Sequence, residues 1–89
     1  MSNFLTVGFD FEDSFYYSVI LVIENGDEKQ YKITVMNGPL QLLLMGNNTI
    51  IEKNGMLDLN LPEGEKNKDL KLKIAEALAL LLHLPIHTT

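Results

Sequence analysis

Phe15-Tyr16-Tyr17-Ser18-Val19-Ile20-Leu21-Val22-Ile23, followed by Glu24-Asn25-Gly26, is the stretch on which the fold turns. Its aromatic and β-branched residues favour strand, and toward its end both faces are apolar, the pattern of a central strand. Asn25-Gly26 supplies the left-handed backbone that a tight hairpin turn requires. The next strand, about Lys29 to Met36, directs Tyr31, Ile33 and Val35 to one face and Lys32 and Thr34 to the other. The register is left open. A two-residue loop sets Ile20 and Val22 beside Tyr31 and Ile33, whereas a three-residue loop selects Val19 and Leu21.

Upstream, Leu5, Val7, Phe9 and Phe11 alternate with Thr6, Gly8 and Asp10, the signature of a half-buried strand that breaks at Glu12-Asp13-Ser14. Downstream, Asn37-Gly38-Pro39 leads into Leu40-Gln41-Leu42-Leu43-Leu44-Met45. Proline suits a first helical turn and Gly46 a C-terminal cap, so a short helix over 39–45 is predicted. Another strand after an Asn-Gly turn would give much the same sequence. A second hairpin joins Thr49–Lys53 through Asn54-Gly55 to Met56–Leu61. It sets Ile50 opposite Leu59, with Leu57 and Leu61 inward and Asp58 and Asn60 outward.

After a polar connection, Pro62 to Lys68, a helix is predicted from Asn67 or Lys68 to Leu84. Asn67 caps its start, Asp69 complements its dipole and Pro85 ends it. Leu70, Ile74, Ala77, Leu78 and Leu81 form the stripe that covers the sheet. From Ala77 to Leu82 every position is apolar. That end is either enclosed by the fold or meets another chain, with Leu80 and Leu84 as the oligomer contacts. The whole chain, 1–89, therefore reads as a single α+β domain. An antiparallel sheet of about five hairpin-connected strands is covered on one face by the C-terminal helix.

Composition narrows the function. With 89 residues there is room for one core and not two, and without cysteine there is no disulfide to support it. Thiol catalysis, thiolate zinc sites and iron–sulfur ligation are excluded. All seven basic residues are lysines against twelve acids, a net charge of −5. Lack of the arginine fork and of positive charge argues against nucleic-acid binding, although an AT-rich coding sequence also produces an arginine-free chain. No basic, apolar leader precedes the first strand, and Val19 to Ile23 is too short to span a bilayer. No membrane association and a cytoplasmic location are expected.

Charge and aromatics are concentrated at the start. Residues 1–28 hold six acids and no base, and six of the seven aromatic residues lie between Phe4 and Tyr17. Asp10, Phe11, Glu12, Asp13, Phe15 and Tyr16 thus form a candidate partner-binding surface: aromatic rings supply contact area and carboxylates steer a basic protein toward it. The same carboxylates with Ser14 are hard ligands for a divalent cation, but calcium-loop spacing is missing. Catalysis by a carboxylate pair would need a desolvated acid, and nothing in the sequence indicates one. A plain acidic hairpin turn accounts for the pattern as well.

Other motifs carry less. His83 and His87 have the spacing of a helical zinc pair, but Pro85 lies between them, and a capping or dipole role suits His83 better. No serine elbow or phosphate-binding glycine loop is present. Lys66, Lys68, Lys71 and Lys73, interleaved with acids, read as a solvated helix face. No catalytic residue, metal site or cofactor is assigned. The expected function is that of a small non-enzymatic binding protein, such as an inhibitor, immunity-type or accessory protein of phage or mobile-element origin. The alternatives are a homo-oligomer subunit (a homodimer in the simplest case) or appended domain, and a small-ligand or divalent-metal binding domain.

Overall fold

Each of the three hairpins is closed by a two-residue turn, and those turns set the register of the sheet. In the computed structural model, which describes residues 3–87, β1 (Asn3–Phe11) and β2 (Ser14–Asn25) pair antiparallel with Phe11 opposite Ser14. The intervening Glu12 and Asp13 both adopt positive φ, 50° and 64°. This is the backbone of the turn type that matches strand twist, reached here without glycine at a cost in local strain.

β2 continues into β3 (Glu28–Val35) with Asn25 opposite Glu28, so the turn residues are Gly26-Asp27 rather than the expected Asn25-Gly26. Only Gly26 of that pair has positive φ. Sliding the turn along by one residue keeps the loop even, and Ile20 pairs with Ile33 and Val22 with Tyr31. The open question of register is settled in favour of Ile20 and Val22 facing inward.

Of the two readings left open for 39–45, helix is the one found, as α1 (Gly38–Leu43), which starts one residue earlier and ends two residues sooner than expected. The Asn37 side chain accepts the Leu40 N–H at 3.1 Å, and Pro39 stands in the first turn. The capping residue is Leu44, and Gly46, at φ 80°, turns the chain two residues later. Gln41 acts in place of a strand residue beside β3. It accepts from the Val35 N–H (2.7 Å) and donates to the Ile33 carbonyl (3.3 Å). Those two groups lie beyond the end of the ladder to β4 (Thr49–Lys53).

The Asn54-Gly55 hairpin to β5 (Met56–Asp58) has the expected register, and Leu57 and Leu59 are fully buried. β5 is shorter than the expected Met56–Leu61 because Asn60, at φ 46°, breaks the extended run.

The principal helix, α2 (Glu65–Leu82), starts earlier than expected with Gly64 at its cap, so Asn67 lies inside it and caps nothing. His83 ends it in the left-handed conformation, and the chain returns as β6 (Ile86–His87). β6 pairs in parallel with β5, placing Leu57 opposite Ile86. The result is a six-stranded mixed sheet, mostly antiparallel, in the order β1-β2-β3-β4-β5-β6. The sixth strand corrects the expected count of five. Two residues after a proline carry no periodic signal, and their pairing is imposed by the returning chain.

Leu70, Ile74, Ala75, Leu78 and Ala79 of α2 close one core with Val7, Phe9, Ile20, Tyr31, Ile33, Ile50 and Leu57. The buried helix face is rotated from the expected stripe. Leu81 is half exposed and Ala77 only partly covered, while Lys71 is buried with 0% exposure. Lys71 therefore leaves the solvated lysine face to which its neighbours belong.

Candidate protein-binding face

Strand alternation, once its register is set, sorts the aromatic stretch into two faces. Phe9 and Phe11 point inward and are buried, Phe11 with 3% exposure. Tyr16 is half-buried on the same inner side, its ring 6.0 Å from that of Phe9. Phe11 and Tyr16 are thereby removed from the expected partner surface, because odd residues of β1 and even residues of β2 share the face that α2 covers.

The opposite face is uncovered. Phe15, Tyr17, Val19, Leu21 and Ile23, the five successive outward positions of β2, are all apolar, and none of them is fully buried. Phe15 and Tyr17 are more than half exposed and meet edge to face at 5.2 Å between centroids. Phe15 leans across the sheet onto Gly8, where a Cβ would run into its ring. Glycine at position 8 is what lets the aromatic ring lie against β1. Phe4, 65% exposed, extends the patch on β1, and Met36 extends it beyond β3, its N–H bonded to the Tyr17 carbonyl at 2.9 Å. Single exposed apolar residues are ordinary, but a contiguous exposed stripe of this kind is uncommon on monomeric soluble proteins.

The acidic residues rim this face at one end. Asp10 points outward opposite Phe15, and Glu12 and Asp13 are exposed in the turn. Glu12 also reaches Lys66 at the start of α2, 3.3 Å away. Both side chains are more than half exposed, so this ion pair contributes little to stability. No group of three or more His, Cys, Asp or Glu residues among those described could hold a metal ion. His83 sits at the C-cap of α2 and His87 in β6. Leu80 is 78% exposed and Leu84 is partly buried against the core.

One feature of the interior escapes the sequence reading. The Lys71 ammonium donates to the Asn47 side-chain oxygen and to the Asn60 carbonyl (3.2 Å). It thus ties the loop after α1 and the loop after β5 to the helix. Desolvation lowers its pKa from the ordinary 10.5 to about 8, with the nearby Asp58 carboxylate opposing the shift. Both hydrogen-bond partners line a cleft of about 320 Å³ between these loops. The legible signal was spacing: Lys71, Ala75, Leu78 and Leu82 share a helix face, and residue type alone argued for solvent. Tyr31, also buried, donates to the Glu52 carboxylate, and burial, then that bond, raise its pKa.

Fold and face together define a small α+β domain with one sheet face packed by a helix and the other bare. Among known proteins, no family model, no curated protein and no solved structure matches this chain. No helix among the described residues is long and apolar enough to cross a membrane.

Proposed function

We infer that this chain is a non-enzymatic protein-binding protein that covers part of its partner with the bare face of its sheet. The observation that carries this reading is the unbroken apolar row Phe15, Tyr17, Val19, Leu21 and Ile23, flanked by exposed Phe4 and Met36. Aromatic and methionine side chains give large contact area and recur at the centres of interfaces. Asp10, Glu12 and Asp13 stand at its rim, where carboxylates accelerate encounter with a basic partner and add little to final affinity. Inhibition, immunity or an accessory role are the kinds of activity a surface of this sort performs, by occlusion and without chemistry of its own. A cytoplasmic location goes with this reading: a chain without cysteine is indifferent to redox compartment, but small secreted domains more often carry disulfides.

Tagged wild type is expected to capture a stoichiometric protein from a lysate of the source organism. Phe15→Ser with Tyr17→Ser should abolish capture. Asp10→Asn, Glu12→Gln and Asp13→Asn together should slow association and weaken its salt dependence while leaving dissociation nearly unchanged. Capture that survives the double aromatic change would remove the face from the interface.

A further inference from the structure

The sheet has a second unsatisfied feature, independent of its bare face. Among the described residues β1 is an edge strand that pairs with β2 alone, so one side of its backbone has no partner strand there. Which groups are free follows from the hairpin. Phe11 and Ser14 close a two-residue turn and exchange hydrogen bonds, and bonded pairs alternate from there along an antiparallel ladder. The Met36 N–H bonded to the Tyr17 carbonyl agrees with this phase, since it turns Tyr17 toward β3 and away from Gly8. Phe4, Thr6, Gly8 and Asp10 therefore direct their N–H and C=O groups out of the sheet edge.

Edges of this length are normally blunted by lysine, proline, a bulge or a covering element. β1 runs nine residues with no bulge in its pairing, contains neither lysine nor proline, and has one charge, Asp10, near its end. Beside it runs the apolar end of α2. Thr6, Val7 and Gly8 together with Ala77, Leu80, Leu81 and His83 line a groove of about 450 Å³, and Leu80 and Leu81 stand exposed on its helix side. Backbone groups awaiting a strand thus lie next to leucines awaiting cover.

We propose that this edge and groove bind a second copy of the chain, β1 pairing antiparallel with β1 across a two-fold axis at Val7, to give a continuous twelve-stranded sheet. In that register Phe4 faces Asp10 of the second copy and Thr6 faces its Gly8. All four outward residues of each strand then bond, up to eight hydrogen bonds in all, and free groups meet only free groups. The axis is perpendicular to the sheet, so both α2 helices lie on the same side and their Leu80 and Leu81 side chains meet across it.

Charge favours this arrangement. Each chain carries −5, and its acidic turn follows β1 directly. Antiparallel pairing places the two acidic turns at opposite ends of the joint, whereas parallel pairing would set them side by side. Size is adequate as well. Nine residues span about 30 Å, and a strand layer with its helix layer is roughly 20 Å deep, a face of roughly 600 Å² per copy. Stable interfaces bury about 600–1,000 Å² per partner, so this face meets the lower end of that range. The bare face of the sheet stays open in this dimer and is doubled in extent.

Light scattering and amide hydrogen exchange on the full chain test the proposal. Wild type is expected at twice its 10.1 kDa mass. The Thr6 and Gly8 amides should exchange about 15-fold more slowly at a total protein concentration 100 times the dissociation constant, where about 7% of the chain is monomer, than at high dilution. Leu80→Glu, at a site already exposed, should give a folded monomer with fast exchange at both amides. Thr6→Pro, which removes an outward N–H and leaves the β2 ladder intact, should also give a folded monomer, read by fast exchange at the Gly8 amide. Phe15→Ser with Tyr17→Ser should leave the dimer unchanged, which separates this result from the fate of the bare face. A wild type that is monomeric at millimolar concentration, or a dimer that persists in Leu80→Glu with Thr6 and Gly8 exchanging fast, would overturn it. So would protection of those amides only after a different protein is added.

Discussion

Lys71→Glu is expected to unfold the domain at neutral pH. The ammonium is fully buried and faces two oxygen acceptors, with Asp58 nearby. A carboxylate there would meet the Asn60 carbonyl and the Asp58 charge with no cation in reach. An uncompensated buried charge costs about 3–5 kcal/mol or more. A domain of this length has roughly 5–13 kcal/mol of stability to lose. Lys71→Met should behave very differently. It keeps the aliphatic stem and removes the desolvated charge, while leaving the Asn60 carbonyl without its donor. The two effects oppose each other, so a change within about 2 kcal/mol is expected. Circular dichroism and urea denaturation distinguish the two outcomes, and a well-folded Lys71→Glu protein would show that the ammonium reaches solvent.

The same residue sets an alkaline signature. In the folded protein the Lys71 pKa is lowered to about 8, below its ordinary 10.5. Below pH 8 lysine is protonated in both states, and the folded protein bears the full penalty of burying the charge. Between about pH 8 and 10.5 the folded lysine releases its proton while the unfolded one retains it, so stability rises with pH across that window. Tyr31 works in the opposite sense. Its folded pKa is raised above the ordinary 10.0, so its contribution is present below pH 10 and is lost as pH climbs further. The urea midpoint should therefore increase from pH 7 toward 10 and fall beyond it. Lys71→Met should flatten the rise, and Tyr31→Phe should remove the fall. A wild-type midpoint that declines steadily from pH 7 would contradict the buried ammonium.

Ile20→Ala and Leu21→Ala, adjacent in sequence, should differ several-fold in effect. Ile20, on β2 between β1 and β3, is fully enclosed in the core that the helix closes, whereas Leu21 lies on the bare face opposite Phe4 and Lys32. Truncating the enclosed side chain loses its transfer free energy and leaves a cavity, about 3 kcal/mol. For a domain this small that corresponds to a fall in Tm of roughly 12–24 °C. Leu21→Ala should cost about 1 kcal/mol or less, since its side chain already borders water. Thermal melts of the two variants test the hairpin register directly. If Leu21 were the costly position, the β2–β3 turn would contain three residues, and the inner and outer faces of β2 would exchange.

Some elements were legible because local chemistry and periodicity agreed. Asn54-Gly55 between Ile50 and Leu59 allows one turn and one register, and both are found. At α1 only Pro39, with its preset φ, was legible; the Asn37 side chain that accepts from Leu40 and tips the segment to helix was not. For the candidate face the sequence was informative about location and misleading about membership. The aromatic concentration near the N-terminus is where the exposed patch lies, but Phe11 and Tyr16 turn inward while Phe4, Tyr17 and Met36 turn out. Adjacent strand residues face opposite ways, so a run of neighbouring aromatics never forms one surface.

By itself, then, the sequence determined the α+β class, the three hairpins and, to within two residues, the end of the long helix, while it left 39–45 open between helix and strand. Tertiary structure alone decided three things. It chose the inner face of β2, where both faces are apolar and only the pairing of Ile20 with Ile33 breaks the tie. It rotated α2 so that Lys71 is buried beneath Asn47 and Asn60, two loops distant in sequence whose oxygens make that burial tolerable. It also added β6, a two-residue strand held by a parallel partner 29 positions earlier, Leu57 against Ile86. In each case the stabilising partner lies far along the chain, and no local pattern specifies it.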